Sequence, residues 1–189
     1  DAAKEALTNI AMQVAAMNPQ YISRNDISEE ELAKIKDITT DSALNDATTL
    51  PKPILNKLLD KAINEKLWSE DDIQQFEEHK NNMNYVWNFL SDAAKAKLGE
   101  LAMADKESIV AEKMFAGVVD GRVSKQLKEI CLLDQTYVKA EDGKQSVAKY
   151  LESVSKDLKI TKMIRFEVGE GMEKKQEDFA AEVAAQMNA

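Results

Sequence analysis

Apolar residues recur at helical spacing along most of the chain. Leu7, Ile10, Ala11 and Val14 share one face of a helix that Asn18-Pro19 should stop. Ser28 followed by Glu31 is a capping box and predicts a helix through Leu32, Ile35 and Ile38. The polar run Thr39 to Thr49 predicts a bend. Pro51 and Pro53 lie where the first turn of a helix tolerates proline, ahead of the stripe Ile54, Leu55, Leu58, Leu59, Ala62, Ile63 and Leu67. Ser69 predicts a cap for a short helix through Ile73 and Phe76. Met83, Trp87, Leu90, Ala94, Leu98 and Leu101 continue at spacings of three and four, and Asp105 predicts a helix from about Lys106 to about Ile130.

The period then changes. Gln135 to Val138 is short and β-prone, and Glu141-Asp142-Gly143 is a turn. Val147, Tyr150, Leu151 and Val154 predict a helix. Ile164, Phe166 and Val168 alternate with Met163, Arg165 and Glu167, the pattern of a half-buried strand. Gly169-Glu170-Gly171 breaks it, and Phe179, Ala180, Val183, Ala184 and Met187 line one face of a closing helix. All six glycines fall at or after Gly99 and all three prolines at or before Pro53, so long helices come first and tight turns later. The fold class these patterns predict is α+β and predominantly helical, with a small antiparallel sheet packed with helices.

Composition narrows the function. The 189 residues carry 34 acidic and 25 basic side chains, a net charge of −9, and the only arginines are Arg24, Arg122 and Arg165. Such a chain is repelled by phosphate backbones and lacks the forked donors that grip them, which argues against nucleic acid as a partner. Apolar runs are too short to cross a bilayer. Cys131 is the only cysteine, which suits a reducing compartment, and His79 is the only histidine, so any Ser-His-Asp or Cys-His constellation would have to pass through it. Beside Glu78 and Lys80, His79 reads as an exposed helical residue; between Ile130 and Leu132, Cys131 reads as a small buried hydrophobe. Glu70-Asp71-Asp72 and Glu77-Glu78 read as solvated helix faces, and Trp68 and Trp87 as core. Gly169-Glu170-Gly171 is too short for a phosphate loop. No active site, metal site or cofactor is expected; the chain is expected to act by binding.

Three blocks give that expectation a direction. Ile164-Arg-Phe-Glu-Val-Gly-Glu-Gly-Met-Glu-Lys-Lys-Gln-Glu-Asp-Phe-Ala-Ala-Glu-Val-Ala-Ala-Gln186 closely resembles the C-terminal end of bacterial translation elongation factor Ts. Ile10-Ala-Met-Gln-Val-Ala-Ala-Met-Asn-Pro19 is similar to the helix opening that family's C-terminal core subdomain. Ile109-Val-Ala-Glu-Lys-Met, then Val119-Asp-Gly-Arg122 and Lys128-Glu-Ile-Cys-Leu-Leu133, resemble the helix after its dimerisation arm. The blocks occur in family order.

The resemblance implies a guanine nucleotide exchange factor for elongation factor Tu, cytoplasmic and not itself an enzyme, with a homodimer through the helical arm as a second partner. It implies three parts: residues 1–24 plus 107–170 as the C-terminal core subdomain, 25–106 as an inserted helical arm, and 171–189 as a C-terminal helical module. The module's Phe179, Glu182, Val183 and Met187 are the expected partner-binding residues. Two features depart from the family. The Thr-Asp-Phe-Val exchange loop occurs nowhere in the sequence, and the chain starts Asp1-Ala2-Ala3, so it reads as the C-terminal portion of a longer factor. The arm is also longer by some fifty residues, roughly Ala47 to Asp105. Polar junctions at Thr39 to Thr49 and near Ala104-Asp105 predict that residues 47–105 can be replaced by a short turn with the rest still folded. A helical adaptor that binds a protein partner without exchange activity is the alternative.

Overall fold

The structure is a computed structural model and describes residues 2–171. Helix α1 (Ala2–Met17) ends at Asn18, whose φ of +45° leaves the helical region just before Pro19. The chain then passes beside Cys131: Gln20 and Tyr21 donate to the Ile130 carbonyl, and the Leu132 and Leu133 amides donate to Tyr21 and Ile22. Ser28 opens α2 (Glu29–Asn45) through both halves of its capping box.

Helix α2 runs straight through the expected bend. Thr39 and Thr40 each donate their hydroxyl to the carbonyl four residues back, at 2.7 Å. A threonine whose polar group is satisfied by its own helix can sit on a buried face. The chain bends only after Asn45, at a 3-10 turn over Ala47–Thr49.

Helices α3 (Lys52–Asn64) and α4 (Glu70–His79) begin at Pro51 and Ser69 as expected. The stripe from Met83 to Leu101 divides into α5 (Met83–Val86) and α6 (Asp92–Ala104), because Ser91 accepts from the Ala94 amide and starts a new helix. Glu112, at ψ 122°, similarly divides α7 (Lys106–Ala111) from α8 (Lys113–Ile130). Beyond the turn at Asp142 and Gly143, Ser146 caps α9 (Val147–Val154).

Apolar side chains collect in two clusters. The larger joins Ala43 and Leu44 of α2, the α3 to α6 stripes, Ile109 of α7, and Phe115 and Val119 of α8. The smaller joins Ile10 and Val14 of α1 with Leu132, Tyr137, Val147 and Leu151. Accordingly α8 lies mainly along α2 and α1 lies mainly on α9.

The expected antiparallel sheet is not formed among the described residues. Isolated bridges pair Tyr21 with Cys131 (parallel) and Thr136 with Ser146 (antiparallel). Ile164, Phe166 and Val168, expected to face a core, are 59%, 89% and 104% exposed. The physical reason is the lack of a neighbouring strand. No backbone amide between residues 159 and 168 donates to another described backbone group, and Met163 packs against the smaller cluster instead.

Asp72 ties α4 to α6. Its buried carboxylate accepts from the Ser69 hydroxyl at 2.7 Å, and from the Ser91 amide and hydroxyl at 2.8 Å each. Burial pushes its pKa up, but the hydrogen bonds from Ser91 and Ser69 outweigh that and hold it below the ordinary value. A carboxyl whose pKa falls on folding contributes stability that is full above the unfolded value, about 4, and is lost as pH drops through the folded value. Asp72→Asn should therefore cost about 1–3 kcal/mol at neutral pH. Melting temperatures of variant and parent should converge below about pH 3. A constant difference from pH 7 to pH 2.5 would show that the carboxylate charge is not what matters.

Candidate functional site

Phe179, Glu182, Val183 and Met187 lie outside the described residues. What is described is the platform that precedes them. Gly169 and Gly171 take φ of +85° and +79°, a region where a side chain is strained, so the chain turns sharply just before the module.

The residues weighed for chemistry are placed clearly. His79 is half-buried rather than exposed: its ring stacks on Phe89 at 3.6 Å and 9°, and its Nδ1 is 2.9 Å from the Gln75 carbonyl. Cys131 is fully buried, and burial, with Asp134 adding to it, pushes its thiol pKa up, which disfavours the thiolate. The two belong to different elements, His79 at the end of α4 and Cys131 after α8 beside Tyr21. Trp68 is core, its Nε1 donating to the Ala94 carbonyl at 3.0 Å, and Trp87 packs at the edge of the same cluster. Of the carboxylates read as solvated, Glu70 and Asp71 are exposed and Asp72 is not. Among the described residues no group of three or more His, Cys, Asp or Glu could hold a metal ion. None of the described helices is long and apolar enough to cross a membrane.

Gln13 is the residue that pattern reading missed. It sits inside the similar block Ile10 to Pro19, on the apolar face of α1, and is fully buried. Its Nε2 donates to Gln135 Oε1 at 3.2 Å and to the Thr136 carbonyl at 3.0 Å, while its Oε1 accepts from the Val138 amide at 2.8 Å. Gln135 in turn donates to the Glu129 carbonyl. One amide thus pins α1 to the segment that follows α8. The available signal was a glutamine between Ile10 and Val14, in register with the buried stripe.

Beside this network Lys139 donates to Asn9 Oδ1 and Asn9 to the Tyr150 hydroxyl, both at 2.8 Å. Tyr150 stacks on Tyr137 at 4.0 Å and 11°. Burial and the Tyr150 hydroxyl push the Tyr137 pKa up to about 12, so it stays neutral and serves packing. On the other side of α1 an apolar groove of about 410 Å³ opens between Leu7, Ile10 and Val14 and the segment from Ile160 to Phe166. The arrangement offers surfaces and a rigid support.

Comparison with known proteins bears on what is bound. The family described as Elongation factor TS matches residues 1–170. The chain is 33% identical over 181 residues to elongation factor Ts of Clostridioides difficile, covering 95% of this chain and 39% of that protein. It is 31% identical over 186 residues to elongation factor Ts of Finegoldia magna, covering 97% and 59%. It is 31% identical over 188 residues to that of Halothermothrix orenii, covering 100% and 41%. The chain thus spans between about two fifths and three fifths of the length of these relatives. No solved structure matches it. A match over residues 1–170, in the block order read from the sequence, places this chain in the elongation factor Ts family.

Proposed function

We propose that the chain belongs to a guanine nucleotide exchange factor and binds elongation factor Tu in the cytoplasm, promoting GDP release during protein synthesis. The family match over nearly the whole chain carries this reading. The lack of an assembled catalytic group among the described residues is compatible with it, since the nucleotide chemistry then sits on the partner. Exchange requires tighter binding to the nucleotide-free partner than to its GDP form, because only differential affinity shifts the nucleotide equilibrium. The C-terminal module, residues 171–189, supplies a contact through Phe179, Glu182, Val183 and Met187. The extra part of the helical arm, roughly Ala47 to Asp105 within residues 25–106, serves local packing or self-association, and residues 1–24 with 107–170 form the core subdomain that carries the module.

Phe179→Ala tests the assignment of the module. It should weaken binding to elongation factor Tu by more than about 1 kcal/mol while leaving the melting temperature nearly unchanged, as expected of an interface anchor. Calorimetric titration and thermal melting measure the two. A lowered melting temperature with unchanged affinity would make Phe179 a core residue and remove the module from the interface.

A further inference from the structure

The chain passes between the two apolar clusters twice, and the two passages are bonded to each other. Residues 18–28 lead from α1 into α2, and Cys131 leads from α8 into the 3-10 turn Leu132–Asp134. They meet at Tyr21. Its amide donates to the Ile130 carbonyl at 3.1 Å, and its carbonyl accepts from the Leu132 amide at 2.8 Å. The Ile22 carbonyl accepts from the Leu133 amide at 3.0 Å, and Arg24 Nε pairs with Asp134 at 2.6 Å. The first passage is therefore fastened to the side of the smaller cluster, which contains Leu132.

The tie from there to α2 runs through one carboxylate. The Tyr21 hydroxyl donates to Glu31 Oε1 at 3.1 Å. The other oxygen, Oε2, accepts from the Ser28 amide at 3.2 Å and from the Ser28 hydroxyl at 3.0 Å, closing the capping box that starts α2. A capping box uses only one of these oxygens, so the bond to Tyr21 is additional to starting the helix. Its electrostatic trace is on both groups: the bond to Glu31 pushes the Tyr21 pKa up, and the bonds from Ser28, then Tyr21, hold the Glu31 carboxyl below its ordinary value. Packing does little at this end of α2. Glu29 to Ile38 includes no buried residue in this chain, and the buried face begins at Thr39. Between Val119 and Cys131, α8 buries only Leu127. The far ends of α2 and α8 are held by the larger cluster, whereas the near end of α2 is held by polar contacts.

We propose that Tyr21 and Glu31 are a positioning pair that sets the direction in which α2, and with it the larger cluster, leaves the smaller one. A partner that touches both clusters then meets them at the angle this pair holds. Amide residual dipolar couplings read that angle, because two units held rigidly share one alignment tensor. In the parent chain, couplings from α1 and α9 and couplings from α3 and α6 should fit a common tensor. Tyr21→Phe removes the hydroxyl and leaves the capping box whole. The common fit should be lost, each set of helices fitting only its own tensor, while the melting temperature stays close to the parent's, since an exposed polar contact adds little stability. Glu31→Gln keeps an acceptor for Tyr21 and a side chain that can close the box, and should retain the common fit. Ser28→Ala should lower the melting temperature through loss of the cap and also retain the common fit, because the Tyr21 bond to Glu31 remains. A common tensor in Tyr21→Phe overturns the proposal, as does a parent chain whose two sets already fit different tensors. So does loss of the common fit in Glu31→Gln, or in Ser28→Ala, where capping of α2 alone would then set its direction.

Discussion

Replacing residues 47–105 by a short turn should abolish the cooperative melting of α2 and α8. Their facing residues Ala43, Leu44, Phe115 and Val119 share one cluster with Leu50, Ile54, Leu55, Leu58, Leu59, Trp68, Phe76, Leu90 and Leu98, all of which would be removed. Leu44 and Phe115 are almost completely buried and Val119 nearly so. Exposing such side chains costs about 1.5–3 kcal/mol each, so the three together approach the whole stability of an ordinary domain. Polar flanking segments suggested a separable insertion; the packing makes it the cap on a helix pair. The smaller cluster takes nothing from residues 47–105, so hydrogen exchange should still protect α1 and α9 in the shortened chain. A shortened chain that melts cooperatively with α2 and α8 protected would contradict this division of the core.

Gln13→Ala should destabilise the smaller unit by roughly 2–4 kcal/mol, combining a cavity with the loss of a buried hydrogen bond to Gln135 and two part-buried ones. The buried Gln135 side chain loses the partner of its Oε1, while the Val138 amide and the Thr136 carbonyl, on exposed residues, are more readily rehydrated. Gln13→Leu isolates the polar part: it restores most of the volume and leaves the same groups unpaired, so about 1–3 kcal/mol should remain. Denaturant unfolding followed through α1 and α9 measures both. If Gln13→Leu equals or exceeds the parent in stability, the network is not what holds α1 in place.

Helix starts were legible because their signal is local. Ser28 and Ser69 each cap the helix that follows, within three residues of the serine itself. Ser91 was not legible, since the three-and-four spacing from Met83 to Leu101 continues across it without a slip. Its capping bond from the Ala94 amide is as local as the others, but the unbroken spacing hides it; Asp72, nineteen positions earlier, then holds its amide and hydroxyl. Thr39 and Thr40 misled in the opposite sense, because back-bonding within the helix hides their polarity. The 163–168 segment shows why alternation alone does not give a sheet. The period is present, but a strand needs a neighbour, and without one among the described residues Ile164, Phe166 and Val168 remain outside. Gln13 shows the remaining gap: a buried amide is recognisable only once its partners at Gln135, Thr136 and Val138 are known. Of the candidate contact residues, Phe179, Glu182, Val183 and Met187 rest on the family's motif order rather than on any described geometry.

The most direct test of the account is the affinity of the chain for elongation factor Tu in two nucleotide states, measured by calorimetry with the partner nucleotide-free and GDP-bound. An exchange factor must bind the nucleotide-free form more tightly, by about tenfold or more, and by reciprocity must weaken the partner's hold on GDP by the same factor. That difference is expected, with a matching rise in the release rate of a fluorescent GDP. Equal affinity for the two forms would leave an adaptor without exchange activity, and no binding to either would contradict the account outright.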